Sequence, residues 1–375
     1  MAAAPTQAGA IDAGANHRTA LDGLRAFAIA GVMLVHAGAP GARSGWVGVD
    51  LFFVLSGFLI TTLLAMEINA TGGIAWGPFM ARRALRLMPA YFLYAGAVTL
   101  AIWCWPGSVR GENGGWTAGG LTAALWTYTI NFVPQGGVWN GQDATVHLWS
   151  LAVEQQYYLV WPVAMLLLAR RPAALRAVAA VGALACAALF IASPPGLYKV
   201  AMLWTRGFSL VAASALALRA AADPGFLRRP AAGRAVDALG VALLAALAVA
   251  PYHAGWSEDR VRTVFIPLLV PVFAIWVARL WYVRGSGLVR RVLQDARVVY
   301  VGKISYGVYL YHEAVRIGVW AWMKPWMAGW PAGPGFVLRM AVYVAVSLAL
   351  AAISYECFEK RFLRLAGRFR PRRVT

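Results

Sequence analysis

Arg25 and His36 stand eleven residues apart inside one apolar run, Leu21–Gly38. Eleven residues make close to three helical turns, so in a helix both side chains share a face, about 16 Å apart along the axis. Ionisable groups within a bilayer are costly and usually face a protein interior or a cavity. That separation suits an elongated activated carrier, such as an acyl thioester on a pantetheine arm, with its anionic end at Arg25 and its carbonyl near His36. A snorkelling arginine beside a hydrogen-bonded structural histidine would give the same pattern. The next apolar run opens with Asp50 at a depth similar to that of His36. A carboxylate there can fix the tautomer of an imidazole and stabilise its cation, or it can simply cap the helix at the interface.

Three more polar sets interrupt apolar sequence. His147, Ser150, Glu154 and Tyr158 recur at spacings of three and four, which makes one helical stripe. A stripe leading inward from the outer surface is what a hydroxyl acceptor needs. Tyr309, His312, Glu313 and Arg316 form a second set, with His312 and Arg316 on one face, although polar contacts between helices explain such residues equally well. Arg83 and Arg86 lie one turn apart, and two guanidiniums at that spacing can clamp phosphate oxygens. Arginine clusters at helix ends also serve simply to orient a chain in the membrane.

The elements that position these groups follow from composition. Hydrophobic residues make up 61% of the 375 and charged residues 13%, against about a quarter charged in ordinary soluble domains. Several charge-poor stretches, Met88–Pro106 and Pro172–Leu197 among them, reach the ~18–20 residues that cross a bilayer core. Many of the 17 Trp residues lie near the ends of such runs, as interfacial anchors do. The chain therefore reads as an all-α integral membrane protein. The net charge of +19 is mostly arginine, gathered between apolar runs, which speaks for topology and against nucleic acid. Cys104, Cys186 and Cys357 are scattered and lack metal-type spacing, so they read as small apolar fillers, and no metal site is expected.

Candidate spans are 21–38, 46–66, 87–105, 147–169, 173–192, 198–218, 235–251, 263–283, 304–322 and 335–357. With the N-terminus inside, alternation puts the basic clusters around Arg82, Arg170, Arg228 and Arg290, and the tail from Lys360, on the cytoplasmic side. The positive-inside bias thus predicts about ten transmembrane helices with both termini cytoplasmic. Leu121–Val133 is apolar but too short to span, and making it a span would throw Arg170 and Arg171 outside. It reads as a re-entrant or interfacial piece of the 106–146 loop. Residues 1–20 lack signal-peptide features and read as a flexible cytoplasmic tail, 21–358 as the membrane domain, and 359–375 as a basic cytoplasmic tail.

In this order, several segments resemble the bacterial acyltransferase-3 family of membrane O-acyltransferases. They are Leu21-Asp-Gly-Leu-Arg-Ala-Phe-Ala-Ile with His36 downstream, Gly48-Val-Asp-Leu-Phe-Phe-Val-Leu-Ser-Gly-Phe-Leu-Ile, Arg82-Arg-Ala-Leu-Arg-Leu-Met-Pro-Ala-Tyr, His147-Leu-Trp-Ser-Leu-Ala-Val-Glu-Gln-Gln-Tyr-Tyr-Leu-Val-Trp-Pro, Ile304-Ser-Tyr-Gly-Val-Tyr-Leu-Tyr-His and Ser354-Tyr-Glu-Cys-Phe-Glu-Lys-Arg-Phe. Together they cover residues from about 18 to 366. The resemblance implies a ten-helix core in a bacterial inner membrane that takes acyl-CoA from the cytoplasm and modifies sugars or similar hydroxyl compounds. Arg25 and His36 match the arginine and essential histidine of helix one, and Arg83 and Arg86 match the paired arginines associated with acyl-CoA. Asp50, Glu154 and His312 match recurrent polar positions. Two departures stand out: Arg361 occupies a place where a proline is expected after Glu359, and there is no room for the hydrolase-like domain some members carry.

The expected reaction is O-acyl transfer, acetyl above all, with no permanently bound cofactor and acyl-CoA as donor substrate. Arg25, Arg83 and Arg86 are the expected donor-binding residues, and His36, Asp50 and Glu154 the catalytic ones. His147, Ser150, Tyr158, Tyr309 and His312 are expected to line the acceptor path. His36 would act as general base or accept the acyl group itself; either role needs a neutral imidazole. Expected partners are the bilayer, acyl-CoA and a carbohydrate or other hydroxyl acceptor, with a homo-oligomer or polysaccharide-assembly proteins as further candidates. The rival readings are a secondary transporter, for which internal repeats and broken helices would speak, and a noncatalytic export subunit.

Overall fold

Long runs of Ala, Leu, Val and Phe have to satisfy their amides without water in a hydrocarbon environment, and the α-helix does so within each segment. The computed structural model describes residues 7–104, 117–133, 144–253, 255–283, 285–327 and 329–369. Every regular element among them is helical. In order these are α1 (Gln7–His36), α2 (Val47–Thr71), α3 (Trp76–Cys104), α4 (Ala118–Trp126), α5 (Trp149–Leu167), α6 (Pro172–Ala192), α7 (Leu197–Ala201), α8 (Leu203–Arg206), α9 (Phe208–Ala222), α10 (Pro230–His253), α11 (Glu258–Tyr282), α12 (Leu288–Gln294), α13 (Ala296–Met323), α14 (Ala332–Ser354) and α15 (Lys360–Ala366).

Among the described residues seven stretches are long and apolar enough to cross a membrane: Thr19–His36, Arg43–Thr71, Trp76–Cys104, Pro172–Ala192, Pro230–Val249, Glu258–Tyr282 and Gly333–Phe369. They coincide with seven of the ten spans expected from sequence. Two others, α5 and α13, form as helices of 19 and 28 residues but carry the polar sets. The span expected at 198–218 is not one helix. It breaks into α7, α8 and the start of α9 at Met202, which is extended, and at Gly207. The break is tolerated because side chains satisfy the freed carbonyls: Asn131 donates to Ala201 O at 3.1 Å and the Thr205 hydroxyl to Met202 O at 3.1 Å.

Other boundaries also move. α3 begins at Trp76 rather than 87, because Arg and Leu are good helix formers, so Arg82, Arg83 and Arg86 stand on the helix and not in a loop. α1 extends back to Gln7 through an alanine-rich stretch, where a loose tail was expected. At the other end α14 runs through a π-helical turn, Tyr355–Glu359, into α15. The short α4 is capped by Thr117, whose hydroxyl accepts from Gly120 N at 3.1 Å. Its nine residues extend only about 14 Å. It lies along α3, with Trp126 Nε1 donating to Thr99 Oγ1 at 3.1 Å and Trp103 Nε1 to Thr122 Oγ1 at 3.3 Å. Segments 105–116 and 134–143 of that loop fall outside the described residues.

The chain divides into two units. The first comprises residues up to Ala65, Ala173–Ile191 and Phe208–Ser305. Its core joins Leu55 and Phe58 of α2, Phe190 of α6, Phe208 of α9 and Phe265, Leu269 and Phe273 of α11. Here α1 is gripped by close backbone approaches: a Cβ on Gly48 would lie 2.3 Å from Ala28 O, and one on Gly302 would lie 1.7 Å from Asp22 O. In the α9–α10 loop, the Gly225 amide and the Arg219 guanidinium hold the exposed Asp223 carboxyl below its usual range. The second unit comprises Met66–Pro172, Ala192–Gly207 and residues from Tyr306 onward. It packs α3, α4 and α5 with the later part of α13 and with α14.

Gly302→Ala should displace the α1 backbone at Asp22 and destabilise the protein by about 1–3 kcal/mol, the usual cost of overpacking. Thermal unfolding in detergent measures this, and an unchanged midpoint would contradict the close approach.

Candidate active site

The first unit holds His36, Arg25 and Asp50. His36 is the last residue of α1 and half-buried. Its Nδ1 lies 2.8 Å from Val32 O, one turn earlier in the same helix. A carbonyl oxygen only accepts, so Nδ1 carries the proton and the neutral ring keeps its lone pair on Nε2. Arg25 forms an ion pair with Asp22, beside the Gly302 contact, which fixes the guanidinium at the opposite end of the same span. Asp50 is fully buried and accepts from Ser209 Oγ of α9 at 2.9 Å. The turn from α1 to α2 uses positive φ at Gly38 and Gly41, which returns the chain so that α2 starts beside the end of α1.

The second unit holds the other expected residues, and it divides the 147–158 stripe in two. At the upper end Ser150 Oγ and Tyr309 OH are 2.5 Å apart, and Tyr309 OH donates to His147 O at 3.0 Å. His147 Nε2 lies 3.1 Å from Leu310 O, and its ring centroid is 4.9 Å from that of His312. His312 Nδ1 lies 2.6 Å from Tyr309 O, while Glu313 binds Arg316 at 2.8 Å. His147, Ser150, Tyr309, His312 and Glu313 are all buried. The structure thus gathers four of the five expected acceptor-path residues into one polar cluster.

At the lower end Tyr158 donates to the Glu154 carboxylate. The Arg83 guanidinium lies 5.9 Å from the ring centres of both Tyr158 and Phe79. Arg83 and Arg86 therefore do different things: Arg83 turns inward among aromatic rings, whereas Arg86 is exposed and within electrostatic reach of Glu359. Arg82 is tied down by Glu67 at 3.6 Å and also donates to Phe369 O at 2.5 Å.

Sequence reasoning missed the residues that fix α4 to this site. Tyr128 has φ of +55°, uncommon for a bulky residue. Its ring stacks on Tyr91 at 4.0 Å, and its carbonyl accepts from Gln156 at 3.3 Å. Gln156 also donates to Asn131 Oδ1 at 2.9 Å. The Gln156 side chain stands in a quoted motif, but its partners are separated from it by some 25 residues of chain, and no local pattern announces them. Tyr306, which donates to Leu87 O at 2.8 Å, was likewise in a quoted motif and unassigned.

A membrane-embedded helical protein with buried His, Glu and Arg on its inner faces is the class this defines. The chain belongs to the acyltransferase-3 family: that family's acyltransferase domain matches residues 18–356. It is similar to peptidoglycan O-acetyltransferase OatA of Listeria monocytogenes, 31% identical over 147 residues, which are 39% of this chain and 24% of that one. It is also similar to O-acetyltransferase OatA of Staphylococcus aureus, 46% identical over 83 residues, 22% of this chain and 14% of that one. The matched part thus spans a quarter or less of these relatives' length. No solved structure matches the chain.

Gln156→Leu should leave Asn131 Oδ1 and Tyr128 O short of a donor and cost about 1–3 kcal/mol per unsatisfied buried group. A lower unfolding temperature and new protease nicking near Tyr128 are the expected readouts; intact resistance to nicking would place the α4 anchor elsewhere.

Proposed function

We propose that this protein is a membrane O-acetyltransferase that moves an acetyl group from cytoplasmic acetyl-CoA to a hydroxyl of a carbohydrate acceptor presented from the other side. The observation that carries the reading is His36: an imidazole at the end of an apolar helix, its Nδ1–H donated to Val32 O, in a chain that matches the family across residues 18–356. The relatives' names support acetyl as the group, and one of them supports a peptidoglycan-type glycan as the acceptor class.

In the direct route Nε2 takes the proton of the acceptor hydroxyl while its oxygen attacks the thioester carbonyl. The carbon–sulfur bond then breaks, the acetyl ester remains on the acceptor, and the departing thiolate takes the proton back from the imidazolium. In the alternative route Nε2 attacks the carbonyl first and the carbon–sulfur bond breaks; the acetyl-imidazole then passes the group to the hydroxyl, whose proton goes to the released thiolate. Both use the same lone pair. Arg86, exposed on α3, suits the phosphates of the donor, with Arg83 one turn away and Arg25 on α1. Asp50, Glu154 and the His147–His312 cluster then serve the acceptor side. With ten membrane passages, three of them the broken or polar helices, both termini lie in the cytoplasm and Ser257 lies outside.

His36→Gln should reduce acetyl transfer about 10²–10⁴-fold, the usual loss of a general base, while donor binding persists. The assay is radiolabelled acetyl-CoA in proteoliposomes with an N-acetylated oligosaccharide acceptor, beside a direct donor-binding measurement. Near-normal transfer by this variant would make His36 structural. Arg86→Ala should weaken donor binding about tenfold, from the loss of one charge-assisted hydrogen bond; equal donor affinity would return Arg86 to a purely topological role. Thiol labelling of Ser257→Cys from outside, and of Arg368→Cys only after permeabilisation, checks the membrane path; the reverse pattern would overturn it.

A further inference from the structure

α14 is amphipathic in the inverse sense. Its outward face carries Val337, Val346, Leu350 and Ile353, all exposed, whereas Tyr343 and Ser347 are completely buried. Arg339, Tyr343 and Ser347 follow one another at intervals of four, so they form a single stripe about 12 Å long. Inside the protein Arg339 and Tyr343 face α13. The Arg339 guanidinium lies 5.7 Å from the ring centre of Trp320, and Tyr343 meets the same ring edge-on at 5.9 Å. The Glu313–Arg316 ion pair on α13 lies within electrostatic reach of Tyr343.

The three side chains share a second property. Arg339 Nε, Tyr343 OH and Ser347 Oγ are all shut away from solvent without a hydrogen-bond partner. Buried polar atoms are nearly always satisfied, and each exception calls for a reason. Three exceptions in consecutive turns of one helix face are not a packing accident. Farther along the helix the polar groups are satisfied: Ser354 bonds Tyr311 at 2.8 Å and Glu359 at 2.9 Å. The deficit starts in the half of α14 that the proposed topology puts toward the outside, where the acceptor arrives, and reaches one turn past the middle of the helix at Ser347.

We propose that Arg339, Tyr343 and Ser347, with Trp320 above them, form a subsite for a neutral, hydroxyl-rich ligand, a segment of the carbohydrate acceptor. This rests on the functional reading above. Hydroxyl groups both donate and accept, so one sugar chain can meet a guanidinium N–H, a phenol and a serine hydroxyl in turn. The Glu313–Arg316 pair opposite is internally neutralised and adds no net charge to the stripe. Trp320 covers both Arg339 and Tyr343, so it swings aside on entry and then offers the flat apolar face on which a sugar ring packs.

Tyr343→Phe and Ser347→Ala distinguish this from a structural role. Removing an unpartnered buried hydroxyl costs no native hydrogen bond, so thermal stability should stay the same or rise. The KM for an N-acetylated glucosamine tetramer should rise at least fivefold in each variant, while the KM for acetyl-CoA stays within twofold of wild type. A fall in stability with unchanged acceptor KM would overturn the proposal. A second measurement does not depend on turnover. In protein with Cys104, Cys186 and Cys357 replaced by Ala, Ser347→Cys is exposed to a membrane-impermeant thiol reagent with and without the tetramer. Labelling slowed severalfold by the tetramer is expected; no labelling, or labelling that the tetramer leaves unchanged, would refute the subsite. Protection of Ser347→Cys by the tetramer, beside wild-type protein that transfers no acetyl group, would instead count against the functional reading alone.

Discussion

A polar side chain on a helix in hydrocarbon has no water to fall back on, and that constraint organises this protein. Each buried donor or acceptor must find its partner inside the bundle or leave a deficit of several kcal/mol. The structure meets the demand with pairs that reach across long stretches of chain. Ser209 supports Asp50, Ser150 supports Tyr309, and Asn131 bonds a carbonyl at the break between α7 and α8. These contacts hold helices in register and also put chemistry-bearing groups at fixed places. Stability and site are made from the same bonds.

The break after α7 illustrates how far this goes. A transmembrane helix is interrupted only where other groups take up the released backbone. Here Thr205 and Asn131 do so, while Lys199 and Arg206 are buried beside the break. Arg206 stacks over Trp149, next to His147 and Ser150, at 5.8 Å. The irregular backbone thus adds cations to the neighbourhood of the His147 cluster at a position that hydropathy alone reads as an ordinary span.

His36 shows how a single local bond can define reactivity. Its Nδ1 is engaged one turn back on its own helix, and the carbonyl partner there keeps the proton on that nitrogen. The residue stands at a helix end, where the chain turns through two glycines with positive φ. Asp50, expected as its orienting partner, is itself held by Ser209 on α9. The carboxylate is therefore positioned by α9 as well as by its own helix, and a shift of α9 would be felt at Asp50 first.

The sequence by itself determined the helical class, seven of the membrane spans and the polar residues worth watching, because hydrophobic length and residue type act locally. It also determined the family, since several motifs stand in order along nearly the whole chain. Tertiary structure alone decided which of those residues meet. The 147–158 stripe looked continuous, yet its upper half joins Tyr309 and its lower half joins Arg83. Arg83 and Arg86 looked like one clamp, yet one turns inward and the other outward. The α14 stripe and the Gln156–Asn131 latch passed unnoticed because Ser, Tyr and Gln are ordinary residues until a fold buries them. Burial and partnership depend on helices distant in sequence, and only packing brings those helices together.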